Sequence, residues 1–262
     1  MSAATGSQTP TEELPFVAPC NELPTGAPFQ WLARAWRDMR AAPALSLFYG
    51  AMLTLLSAVI AALTWRSGLI ALYLGLATGF VFIGPWLAMG LYSISYQLEV
   101  GRQPTLAYTL RQVRAHMRDT LVLGICLLIL LLVWARAATL LNVLRPETGL
   151  PNWRDLLPFL AIGSGVGAIF AAIVFAASAF SLPMLLDRRT DAITAVVTSI
   201  NATLRNKLTM FIWAMLIVVS VAIGFATFLI GFIVLMPLIG HASWHAYRAA
   251  IDATMWPRVV DS

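Results

Sequence analysis

Charge is what this 262-residue chain has least of: Asp, Glu, Lys and Arg together make up 11% of it, against about 25% in soluble domains. Residues 208–247 contain none of the four, while 60% of all residues are hydrophobic. A soluble domain of this size has no interior large enough to hide so much apolar surface, and charge-free runs of this length fit spans of a bilayer. The apolar runs are continuous and do not alternate with polar residues, which argues against a β-barrel and leaves helices. Histidine and cysteine are scarce as well, with three and two copies. Cys20 lies in a polar stretch and Cys126 in an apolar run, so neither a disulfide nor a redox pair is indicated. No glycine loop precedes a Lys-Ser/Thr pair, there is no Gly-x-Ser-x-Gly, and no carboxylate lies deep in an apolar run. The chain therefore reads as non-enzymatic and without a cofactor, and the missing intramembrane carboxylate counts against ion-coupled transport. Lysine is represented by Lys207 alone, so the net charge of +5 comes almost wholly from arginine. Arginines that flank apolar runs mark membrane edges; the expected partner is the lipid bilayer, not nucleic acid.

Six apolar runs are long enough to cross, at about 44–63, 69–97, 119–141, 158–186, 208–223 and 226–247. Three shorter stretches, 29–42, 103–118 and 192–207, are amphipathic. Phe29, Leu32, Trp36 and Met39 form one stripe of the first, with Arg34, Arg37 and Arg40 off it. Such helices lie at the membrane surface. Leu106, Leu110, Val113 and Met117 make the second stripe, and Ile193, Val196, Val197, Ile200 and Leu204 the third. The expected fold is an all-α polytopic bundle: six transmembrane helices, three interfacial helices, and a weak threefold repeat of amphipathic helix, span and proline-bearing span. A turn near Gly224 separates the last two spans, and a polar connection occupies 142–157. Residues 1–28, rich in Pro, Thr, Ser and Glu, read as a disordered tail; 29–252 form the membrane domain and 253–262 a short second tail. Arg34, Arg37, Arg40, Arg102, Arg111, Arg114, Arg118, Arg188, Arg189, Arg205, Lys207, Arg248 and Arg258 fall on one side of this arrangement. Only Arg66, Arg136, Arg145 and Arg154 fall on the other. Both termini are expected in the cytoplasm.

Pro85, Pro183 and Pro237 sit deep in apolar runs, where each removes a backbone donor and is expected to kink its helix. The last of them leads into the densest set of unusual residues, Gly240-His241-Ala242-Ser243-Trp244-His245-Ala246-Tyr247-Arg248. His241 and His245 are one helical turn apart and share a face, a spacing at which imidazoles ligate a metal or haem. A zinc hydrolase would carry glutamate after the first histidine, where Ala242 stands. His116 is the remaining histidine that a third ligand would require. The alternative is a polar helix end, its histidines bonded to neighbouring helices and Trp244, Tyr247 and Arg248 at the membrane interface.

Trp36-Arg37-Asp38-Met39-Arg40, Ser46-Leu47-Phe48-Tyr49-Gly50, Gly84-Pro85, Gly90-Leu91-Tyr92 and above all the 240–248 motif resemble a family of predicted bacterial integral membrane proteins catalogued as a domain of unknown function. The resemblance covers about 29–252. It implies a bacterial inner-membrane location and about six helices, and it brings no catalytic residue with it. Three functional readings follow: a non-enzymatic scaffold or assembly subunit with membrane-protein partners or copies of itself; a transporter or channel for a small or apolar solute; and a haem- or metal-binding protein using His241 and His245.

Overall fold

A computed structural model describes residues 15–67, 70–141 and 153–259. Among them there are no strands, only two isolated bridges, Cys20 with Ile251 and Arg188 with Arg258. The helices run α1 (Ala27–Ala41), α2 (Pro43–Ser67), α3 (Ile70–Glu99), α4 (Leu106–Ala115), α5 (Met117–Leu141), α6 (Trp153–Ser178), α7 (Ser181–Asp187), α8 (Ala192–Arg205), α9 (Lys207–Ala226) and α10 (Phe232–Ala250). Four stretches are long and apolar enough to cross a membrane: Pro43–Arg66, Met117–Leu140, Leu157–Asp187 and Lys207–Ala226. Between 0% and 22% of each such window is buried within the protein. Side chains that apolar and that uncovered belong in hydrocarbon. Residues 1–14, 68–69, 142–152 and 260–262 lie outside the described residues, and with them most of the polar connection expected at 142–157.

Three sequence expectations need correction. The fourth apolar run is not one helix, because it breaks at Ala179 and Phe180, between α6 and α7. Pro183 cannot donate to the carbonyl of Ala179, and its ring crowds that group, so the break falls one turn upstream. Ser199 of α8 holds the break by accepting from the Phe180 amide at 3.1 Å and donating to the Ala176 carbonyl at 2.7 Å. Pro85 and Pro237, in contrast, lie inside helices that continue through them. The second correction concerns the last connection. Helix α9 continues to Ala226, and the turn spans 227–231, where Phe228 and Leu229 adopt positive φ of 51° and 71°. Gly224 serves packing instead: a side chain there would collide with the Phe232 ring.

The third correction is to the tail. Residues 15–26 are not disordered but run along α8 and α10. Ala18 N donates to Thr198 Oγ1 (3.1 Å), Asn21 N to the Ala250 carbonyl (2.9 Å) and Leu23 N to Asn206 Oδ1 (2.7 Å). Composition favours disorder only when the chain finds no partner for its backbone groups, and here Thr198, Asn206 and the end of α10 supply them. Beyond α10, Trp256 is buried and its carbonyl accepts from Arg188 at 2.8 Å.

The amphipathic stretches are helical, as α1, α4 and α8, and α4 and α8 turn their small or polar side toward the protein. In α8 the buried residues are Ala192, Thr194, Ala195, Thr198, Ser199, Ala202 and Thr203, whereas Ile193 and Leu204 are 63% and 56% exposed. In α4 the buried pair is Thr109 and Gln112, which meet Gln97 and Ser93 of α3 at 3.1 and 2.6 Å. Helix α1 buries Trp31, Ala35 and Met39 and leaves Phe29 and Trp36 exposed. Trp31 packs edge-on against Trp213 of α9, with ring centroids 5.6 Å apart. Lipid, unlike water, accepts the large apolar side chains, so the close protein contacts fall to small residues and hydrogen-bonding ones.

The tightest helix crossings join α2, α3 and α10, and each has a glycine. A side chain at Gly50 would strike the Ile233 carbonyl, one at Gly90 the Tyr49 ring, and one at Gly240 the Leu91 side chain. Near these crossings the ends of α3, α7 and α10, with α1 and α8, form a densely packed base that includes Phe180, Met184, Leu186, Trp244 and Tyr247. From that base the long apolar helices extend with little mutual cover.

Candidate functional site

Through the 240–248 motif helix α10 bonds to α1, α2, α3 and α7. His241 has no exposed surface, and both of its ring nitrogens are engaged: Nδ1 with Ser95 Oγ at 2.8 Å and Nε2 with Ser46 Oγ at 3.0 Å. Ser95 donates its own proton to Asp38 Oδ2 at 2.7 Å, so its oxygen must accept from Nδ1–H. In the neutral ring Nε2 then accepts from Ser46, whose hydroxyl otherwise turns to the Ala42 carbonyl 2.8 Å away. His245 Nε2 meets the same Asp38 oxygen at 2.8 Å. Asp38, Ser46 and Ser95 belong to α1, α2 and α3, so two histidines of one helix join four helices.

The neighbouring positions of α10 work in the same way. Trp244 Nε1 donates to Glu99 Oε2 at 2.9 Å, and Arg248 donates to Glu99 Oε1 at 2.9 and 3.1 Å. Tyr247 donates its hydroxyl to Asp187 Oδ2 at 2.8 Å, an oxygen that Arg188 also meets at 2.9 Å. Asp187 and Arg188 are nearly inaccessible, at 3% and 5%, and a buried carboxylate is tolerable only when paired in this manner. Trp244 and Tyr247, expected at the membrane interface, are instead fully buried. Each has a polar handle on a large apolar body, and here the partner for the handle lies inside.

His241 and His245 do share a face, but their nitrogens point to different partners. His116 closes α4, with Nδ1 donating to the Gln112 carbonyl at 2.7 Å. Among the described residues no group of three or more His, Cys, Asp or Glu is placed to hold a metal ion. The partners Asp38, Ser46 and Ser95 left no local signal in the sequence, since they lie 207, 195 and 146 residues from the histidines they bind.

Above the base, α2, α3, α5, α6 and α10 line an open-sided cavity of about 690 Å³. It begins at Gly84 and Pro85, is walled by Leu131, Trp134, Phe170 and Met236, and ends near Gly240. Among the described residues, Tyr92 and Ser243 alone bring side-chain oxygens to its lining. Small residues, Ala88, Gly167 and Ala171, keep the space open. A second, polar recess of about 370 Å³ lies in the base between α1, α3 and α10.

No curated protein and no solved structure matches this chain. Residues 72–187, which contain Pro85 and Pro183 but not the 240–248 motif, match the model of a family described as a predicted integral membrane protein (DUF2189).

Proposed function

We propose that this protein is a non-enzymatic, six-span integral membrane protein that takes an apolar, membrane-dissolved molecule into the cavity beside Pro85. The size and lining of that cavity carry the reading. A space of about 690 Å³ walled by Leu, Phe, Trp and Met offers an apolar solute the contacts it has in lipid, and two hydroxyls at one end give it an orientation. Small apolar cavities stay dry and admit apolar guests, whereas a water-filled path needs more polar groups than Tyr92 and Ser243. The class is a carrier for a small apolar solute.

In this reading α3 and α10 join the four apolar helices as crossings. Helix α3 has 30 residues, about 45 Å at the α-helical rise, and α10 returns alongside α9 from the turn at 227–231. An even number of crossings leaves both termini on the arginine-rich, cytoplasmic side of a bacterial inner membrane. The threefold order of short helix, span and proline-bearing helix is what a duplicated unit would leave.

A photoreactive fatty acid in reconstituted bilayers tests the cavity reading. Crosslinks should concentrate on Leu131, Phe170 and Met236 over the outward-facing Ile129, Leu132 and Ile169. Labelling confined to the outward-facing set would refute it. A second reading, an accessory subunit of a larger membrane complex, draws on the Leu157–Asp187 stretch, none of whose apolar window is buried. A partner helix packed there would appear as a stoichiometric companion after purification in mild detergent, and a lone chain under those conditions would count against it.

A further inference from the structure

We infer that the recess between α1, α3 and α10 is a binding site for a phosphate group, presented by an anionic lipid headgroup or by free phosphate. The recess, about 370 Å³, is lined by three guanidinium side chains, Arg34 and Arg37 from α1 and Arg248 from α10. Two carboxylates also line it, and both are already engaged. Asp38 accepts from Ser95 and pairs with His245, at 2.7 and 2.8 Å. Glu99 accepts from Trp244 at 2.9 Å and from Arg248. Arg34 and Arg37 are exposed, one helical turn apart, and have no carboxylate partner among the described residues. Three guanidinium groups against two carboxylates that are already hydrogen-bonded leave a net positive recess, and guanidinium forks match phosphate oxygens in pairs.

Arg248 adds rigidity. Its bonds to Glu99 and its approach to Asp187 at 3.5 Å hold one wall in place before a ligand arrives. The position of α1 suits a headgroup. Only Ala42 separates it from α2, so α1 lies at the level where the first apolar helix enters the membrane. Phe29 and Trp36 project from its other edge, and Arg40 stacks over Trp36 at 5.3 Å. An aromatic edge with a basic one is how helices settle at the headgroup layer.

Calorimetric titration of the purified full chain in an uncharged detergent tests this with three probes: inorganic phosphate, dioctanoyl phosphatidylglycerol, and dioctanoylglycerol as the phosphate-free control. The protein should bind a phosphate-bearing probe and not the control. Arg34→Gln with Arg37→Gln should weaken that binding about tenfold or more, while Arg40→Gln on the same helix leaves it within about twofold. Arg34→Lys with Arg37→Lys, which keeps the charge and the fold but not the fork, should fall between the two. Binding of phosphatidylglycerol alone identifies a lipid source; equal binding of inorganic phosphate identifies a soluble one. No binding of either phosphate probe, or equal loss in the Arg40 variant, would overturn the inference.

Discussion

Removing the imidazole of His241 measures how much the base depends on α10. The side chain has no exposed surface, so His241→Ala leaves a void among Ser46, Ser95 and their neighbours. Truncating a buried side chain of this size costs about 2–4 kcal/mol in packing and burial. The two hydrogen bonds add about 1 kcal/mol each. No hydroxyl is stranded, because Ser46 retains the Ala42 carbonyl and Ser95 retains Asp38, which limits the loss. The total is about 4–6 kcal/mol, and at about 2–4 °C per kcal/mol for a chain of this size the Tm falls by about 8–24 °C. His245→Ala is the control: its side chain is partly exposed and makes a single bond to Asp38, so the loss is about 1–2 kcal/mol. Thermal unfolding in detergent, followed by tryptophan fluorescence, reads both. A His241→Ala protein that unfolds within about 2 °C of the wild type would refute the structural role of the imidazole. Stabilisation of the wild type by added zinc, abolished in the variant, would restore the metal reading.

The helix crossings, the α6–α7 break and the α8 cap give three more expectations. Gly50→Ala should destabilise more than Gly240→Ala, because the first drives a methyl into a backbone carbonyl and the second into the movable end of Leu91; a reversed order in denaturation midpoints would contradict the crossing geometry. Ser199→Ala strands the Phe180 amide and should cost about 1–3 kcal/mol, with faster proteolysis near 179–180 as the local sign. Asp191 caps α8 by accepting from the amides of Ile193 and Thr194, at 2.9 and 3.0 Å. Burial alone would raise its carboxyl, but these bonds and the Thr194 hydroxyl hold it below the ordinary value of 3.8. Its contribution is therefore complete above that value and fades as pH falls through the lower folded one. Asp191→Ala should cost about 1 kcal/mol near neutral pH, and the difference from the wild type should vanish in strong acid; a constant difference would assign the loss to something other than the cap.

Much of the fold was legible because the bilayer imposes a length and a composition on whatever crosses it. The charge-free run 208–247 announced two helices, and the flanking arginines marked where the others end. The surface helices were legible too, since Leu106, Leu110 and Val113, or Ile193, Ile200 and Leu204, recur at helical spacing. Their packing was not. Periodicity shows where large apolar residues lie, but in a membrane that side can face the solvent, so Thr198, Ser199 and Ala202 form the contact that Ile193 would make in water. The kink expected at Pro183 is a full break one turn upstream, at Ala179 and Phe180, because a proline disrupts the turn preceding it. The histidine network had no local signature at all: Ser46 and Ser95 are ordinary serines in apolar runs, and their role exists only once α2, α3 and α10 converge on three glycines.

The quantity that bears most directly on the account is the content of the cavity. Wild-type protein and Ala171→Trp, which places an indole into that space without touching the base, can be purified side by side in mild detergent. Organic extracts of each are then quantified by mass spectrometry per mole of protein. The account predicts one apolar compound near stoichiometry in the wild type and several-fold less in the variant, at an unchanged Tm. Identical extracts from the two proteins would contradict it.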